Sequence, residues 1–233
     1  MLNINKIRKI SIWVFFLPLV VLNLCLFISV NYDLLENTIF IVDQIGRTAF
    51  TIPYIDGGVS ISRTARTYPA YLIFKPGMIV TAIFLIQYWK NNNSLFKNIV
   101  SDGNKNLRFY YLGIISAFFL IAHSIFLGIH FDNDFYKLFR RFVLLGFIIF
   151  ELAAQTLLVI ILFNSKHLIA KHINNNILTL KIILISMLVL VAFISLPFLV
   201  TSGHVHFKHA LEWDYFVALT MFYLLSYLFW KKQ

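Results

Sequence analysis

Charge is scarce in this chain. Of 233 residues only 13% are Asp, Glu, Lys or Arg, while 60% are hydrophobic and 17% aromatic. The mean hydropathy is +0.79. A soluble domain is nearer a quarter charged, so this composition excludes a soluble globular surface and equally a disordered chain. Nine glycines and five prolines exclude a collagen-like repeat. The single cysteine, Cys25, excludes an intramolecular disulfide. Acids are scarcer than bases, 10 against 20, which leaves a formal charge of +10. What remains is a polytopic membrane protein.

A helix needs roughly 20 apolar residues to cross a bilayer. Six such runs occur, at about 11–30, 69–89, 109–130, 142–164, 179–200 and 211–230. They predict an all-α bundle forming one membrane domain over 1–233, with one long connection at 31–68. The first run follows Lys6, Arg8 and Lys9, as a secretory signal would. It is longer than a signal's apolar core and no small-residue cleavage site follows, so it reads as a retained first helix.

Six crossings put both termini on one side, and the bases say which. Twelve Lys and Arg fall on the N-terminal side: Lys6 to Lys9, Lys90 to Arg108, Lys166 to Lys181, and the Lys231–Lys232 pair. Seven fall on the other side, Arg47, Arg63, Arg66, Lys137, Arg140, Arg141 and Lys208, and Lys75 lies inside a run. Cytoplasmic segments collect Lys and Arg, so both termini are expected in the cytoplasm. Eight acids lie outside and only Asp102 inside, with Glu151 in a span. The inner side therefore carries +11 and the outer −1. The basic excess is a topology signal and points to no nucleic-acid partner.

The outer loop carries the words Pro53-Tyr54-Ile55-Asp56-Gly57-Gly58 and Ser60-Ile61-Ser62-Arg63-Thr64-Ala65-Arg66. Asp-Gly-Gly predicts a turn. Ser60, Ser62, Arg63 and Arg66 would then present hydroxyls and guanidinium groups at the membrane face. Guanidinium pairs bidentately with phosphate, so a lipid headgroup suits them; a solvated loop with arginines at headgroup level is the plainer reading.

At membrane depth Glu151 lies near the midplane, with Gln155 one turn along. An intramembrane carboxylate marks a proton or ligand site, or an interhelical hydrogen-bond lock. Lys75, beside Pro76, is either a snorkelling lysine or a counter-ion for Glu151 or a bound phosphate. His123 and His130 are two turns apart on one face. His204, His206 and His209 follow the fifth span, with Glu212 and Asp214 just beyond. Imidazole and carboxylate are zinc ligands and acid–base groups, although the spacing fits no standard zinc motif. Interfacial histidines bonded to headgroups and loop carbonyls are the alternative.

These words, in this order, resemble the Frag1/DRAM/Sfk1 family. Pro53 to Asp56 is similar to the Pro-Tyr-Ile-Ser-Asp element of its autophagy-modulator branch. Val59 to Ser62 is similar to the Pro-Ser-Ile-Ser element of its lipid-anchor-remodelling branch, with valine in place of proline. Glu212-Trp213 resembles the Glu-Trp or Glu-Tyr that opens the family's last helix, with His206 or His209 as its upstream histidine. The resemblance covers most of the chain by topology and two short stretches by words. It departs at Asp56-Gly57-Gly58 and at the arginines Arg63 and Arg66. It implies six spans and a role with lipids or lipid anchors.

Three functions compete. A lipid hydrolase or transferase would place His123, His209, Glu212 and Asp56 in catalysis, with zinc on His123, His130, His204, His206 and His209. Ser60, Ser62, Arg63 and Arg66 would hold the headgroup. A non-catalytic lipid-binding protein would use the same groups for recognition alone. A small transporter would be built on Glu151 and Lys75.

Overall fold

The computed structural model describes residues 4–35, 38, 48–99, 108–129, 134–201 and 203–232. Among them the chain is all-helical, with no strand. The helices are α1 (Ile4–Val30), α2 (Ile61–Ala65), α3 (Ala70–Ile99), α4 (Arg108–Phe126), α5 (Asp134–Asn164), α6 (Lys166–Ile169), α7 (Asn175–Val200) and α8 (Val205–Phe229). Short 3₁₀ turns stand at Tyr32–Leu35 and Ala170–His172.

Five helices, α1, α3, α4, α5 and α7, are long and apolar enough to cross a membrane. The expected sixth, α8, matches them in length but not in composition. Its first turns carry His206, Lys208, His209, Glu212 and Asp214, and these polar groups keep it outside the set defined by hydropathy. Several helices run past their apolar runs. α5 begins at Asp134 rather than near 142, because Arg140 and Arg141 are adequate helix formers that need no apolar surroundings.

The six long helices close into a ring. α1 packs on α3, α3 on α4, α4 on α5, α5 on α7, α7 on α8, and α8 back on α1. The short α2 lies across one end against α1, α3 and α8. Between helices the driving force in lipid is close packing, so small residues sit where large ones must fit. Gly113 of α4 shows this: a Cβ there would lie 2.4 Å from the Trp89 indole of α3. Met187, Leu190, Phe193 and Ile194 of α7 face outward, as apolar side chains do when the bilayer is the solvent. At the end opposite α2 the chain after α8 returns to the start of α7. There Asn174 N–H donates to Phe229 O and Lys231 N–H to His172 O.

Candidate functional site

Two polar constellations stand out, one at the end of the bundle that carries α2 and one inside it. The first is built on a turn that precedes α2. Thr51 Oγ1 donates to Asp56 Oδ1 at 2.5 Å, Gly58 N–H to the same oxygen at 2.8 Å, and Ile52 N–H to Oδ2 at 2.9 Å. These three donors, Thr51 foremost, hold the Asp56 carboxyl below the ordinary carboxylate range, with His206 adding a favourable charge. Asp56 thus organises the loop.

A group whose pKa falls on folding lends stability above its unfolded value and withdraws it as pH falls through the folded one. Acidification below about pH 4 is therefore expected to free residues 51–58 before the bundle. Asp56→Asn should do so at neutral pH. Hydrogen exchange at the Ile52 and Gly58 amides checks this. Unchanged protection in the variant would show that the carboxylate does not hold the turn.

The turn is clamped onto α8. His209 Nδ1 donates to Gly57 O at 3.0 Å, since a carbonyl only accepts, which leaves Nε2 as the acceptor of the ring. Trp213 Nε1 donates to Val59 O at 2.9 Å. The Tyr54 ring meets Trp213 edge-on at 5.0 Å, and its hydroxyl donates to Asn23 Oδ1 of α1 at 3.2 Å. Ser60 caps α2 by accepting from Arg63 N–H at 3.2 Å, and its Oγ lies 3.4 Å from Ser62 Oγ. The Glu212 carboxylate faces the backbone N–H groups of Ile61 and Ser62. The loop word and the α8 word, about 150 residues apart in sequence, therefore form one unit.

This unit gathers Asp56, Ser60, Ser62, His206, His209 and Glu212, but not His123. His123 is buried in α4 against the Phe74 ring, with centroids 6.4 Å apart. His204 is the residue before α8, at φ 52, with its ring on Phe198. His130 lies outside the described residues. Among those residues no three His, Cys, Asp or Glu side chains are placed to share a metal ion, so the expected zinc ligands do not assemble from them. Nor does a described serine hydroxyl bond a histidine; Ser60 is committed to the α2 cap.

The second constellation surrounds Glu151, which is 1% exposed. Ser116 Oγ of α4 donates to Oε2 at 2.5 Å, and Gln155 Nε2 donates to Oε1 at 3.0 Å. The Tyr223 hydroxyl of α8 also donates to Oε1, and Gln155 reaches on to Leu219 O. The carboxylate thus joins α4, α5 and α8. Lys75 takes no part: its ammonium stands over the Tyr71 ring at 5.2 Å, and the alternative pairing with Glu151 does not form. The long stem has followed its own helix outward, as a lysine near a membrane surface does.

The buried cation is Lys181, also 1% exposed. It donates to Ser226 Oγ at 2.7 Å and lies 3.9 Å from the Phe222 ring centroid. Ser226 also pairs with the Tyr88 hydroxyl at 3.0 Å. Sequence reasoning counted Lys181 among the inner surface bases and passed over Ser226. A signal was present: Lys181 is the lone charge in α7, and an isolated charge among apolar residues marks a buried partner.

No family model, curated protein or solved structure matches this chain.

Proposed function

We propose that this chain is an integral membrane protein of six crossings that recognises lipids at its outer end, with both termini in the cytoplasm. α8 is the sixth crossing in this reading, because it closes the ring between α7 and α1. Its polar first turns then lie beneath the outer loop, which supplies their partners. The charge asymmetry of +11 against −1 sets the orientation.

The observation that carries the lipid reading is the pairing of basic side chains with an apolar groove. Clamping the loop on α8 leaves Arg63 exposed and Arg66 half-buried. Three residues beyond Arg66 begins the wall of a groove of about 250 Å³, formed by Ile28, Leu35, Pro69, Leu72 and Ile73. Basic side chains a few residues ahead of an apolar groove suit a headgroup and the start of an acyl chain. The likeness to the Frag1/DRAM/Sfk1 family points the same way. Recognition is favoured over hydrolysis or group transfer, because Ser60 is committed to the α2 cap and no described serine hydroxyl bonds a histidine.

Two measurements test this. Organic extraction of protein purified in mild detergent and exchanged extensively should recover about one tightly held lipid per chain; lipid-free folded protein would refute the reading. For orientation, single cysteines are placed in a Cys25→Ser background. Ile55→Cys should react with a membrane-impermeant maleimide on intact cells, and Ser94→Cys only after permeabilisation. The opposite pattern would invert the topology.

A further inference from the structure

The described side chains leave two buried nitrogens at the outer end unsatisfied, His123 Nδ1 and Arg140 Nε. His123 sits in the last turn of α4 and is 8% exposed. Arg140 lies in the second turn of α5, near enough to act on His123 electrostatically. Buried polar atoms in native proteins nearly always have partners, and two orphans within electrostatic reach of each other invite a shared one.

The surrounding charges give that partner a sign. Arg66 lies close to Arg140 and to Arg63, and these guanidinium groups are the charges that act on it. Among the described residues no carboxylate is one of the charges acting on Arg66. Burial and this mutual repulsion both push the Arg66 pKa down, so the fold holds like charges together against their preference.

The chain brings them together by specific packing. Gly128, at φ +82, lies against the Arg66 backbone, where a Cβ would stand 3.0 Å from its carbonyl oxygen. The Tyr136 hydroxyl donates to Phe126 O at 2.6 Å and ties the first turns of α5 to the end of α4. The Arg140 guanidinium rests on the Tyr136 ring at 5.3 Å.

We infer that Arg66, Arg140 and His123 form a binding site for a phosphate group, with Arg63 at its exposed side. A tetrahedral oxyanion offers several acceptors, enough to take N–H bonds from two arginines and from His123 Nδ1–H at once. It would also remove the repulsion among the three arginines. This rests on the lipid reading above and deepens it by naming the headgroup chemistry. A lipid headgroup and free phosphate share this chemistry, and the experiment separates them.

The test is native mass spectrometry or calorimetry on the full chain in detergent, with three probes: dihexanoyl phosphatidic acid, dihexanoylglycerol and inorganic phosphate. Phosphatidic acid is expected to bind at least about tenfold more tightly than dihexanoylglycerol, the size of one or two charge-assisted hydrogen bonds. Arg66→Gln and Arg140→Gln should each remove most of that preference, and His123→Asn part of it. Lys208→Gln should leave it intact, because Lys208 is engaged with Thr201 O. Competition by millimolar inorganic phosphate would assign the site to the free ion; its failure to compete would assign it to the lipid. Both outcomes support a phosphate site.

Equal binding of the two lipids by the wild-type chain would overturn the inference while leaving lipid recognition standing, and needs no variant to fold. A preference that survives both arginine substitutions would overturn it as well. Wild-type protein that binds none of the three probes would remove both readings together.

Discussion

Gly57→Ala is expected to lower the thermal unfolding midpoint in detergent by roughly 6–12 °C, corresponding to about 3 kcal/mol or more in a chain of this size. Gly57 holds φ +60, and a Cβ there would sit 1.8 Å from the backbone oxygen of His206 and 2.6 Å from its carbonyl carbon. The left-handed conformation alone costs about 1 kcal/mol or more in a non-glycine residue. The overlap is worse, because backbone cannot swing aside as a flexible side chain does.

The loop must then lift from α8. With it go the His209–Gly57 and Trp213–Val59 hydrogen bonds and the Tyr54–Trp213 ring contact, each worth roughly 1 kcal/mol. Gly203→Ala separates the two effects. Gly203 has φ +98 but nothing within 4 Å of its would-be Cβ, so it should lose only the conformational part, about 2–4 °C. If the two variants melt alike, the loop is not clamped against α8.

The helices were legible because each apolar run is long, and the boundaries differ mainly where polar turns continue a helix into the headgroup layer. The pair of Glu151 and Gln155 was legible too: the i, i+4 spacing places both on one face, and the side chains meet at 3.0 Å. Partners on other helices were not. Hydropathy fixes the depth of a residue but not the angle at which its helix presents it. Lys75 and Lys181 show the difference. Both are lysines within apolar helices. One lies over its own helix's Tyr71, the other is buried against Ser226 and Phe222.

The histidines illustrate the same limit. The topology expected from the apolar runs puts His123, His206 and His209 on one side of the membrane. Only the packing of α4 against α3 and α5 separates His123 from the other two and brings it to Arg140. The loop and α8 words meet through backbone carbonyls of Gly57 and Val59. Side-chain patterns alone do not announce that.

Glu151→Ala should destabilise the folded chain by about 2–5 kcal/mol, while Glu151→Gln should cost less than about 1.5 kcal/mol. Alanine removes at once the shared acceptor of three buried donors: the hydroxyls of Ser116 and Tyr223 and the amide of Gln155. Hydrogen bonds between membrane helices average roughly 0.6 kcal/mol and reach about 1.7, and an unsatisfied buried group costs about 1–3 kcal/mol. Three losses therefore fall in the stated range after partial relaxation.

Glutamine behaves differently because Ser116 already has a second acceptor. Its hydroxyl reaches Gly113 O at 2.8 Å, so it can turn there and accept from the new amide N–H. The glutamine oxygen then remains for Tyr223 and Gln155. Removing only one donor, by Tyr223→Phe, should cost about 1 kcal/mol. Equilibrium unfolding of the three variants decides the role of this residue. The order Ala, then Gln and Phe near wild type, identifies Glu151 as the acceptor that locks α4, α5 and α8 together. A Gln variant as unstable as the Ala variant would show instead that the negative charge itself is what the bundle requires.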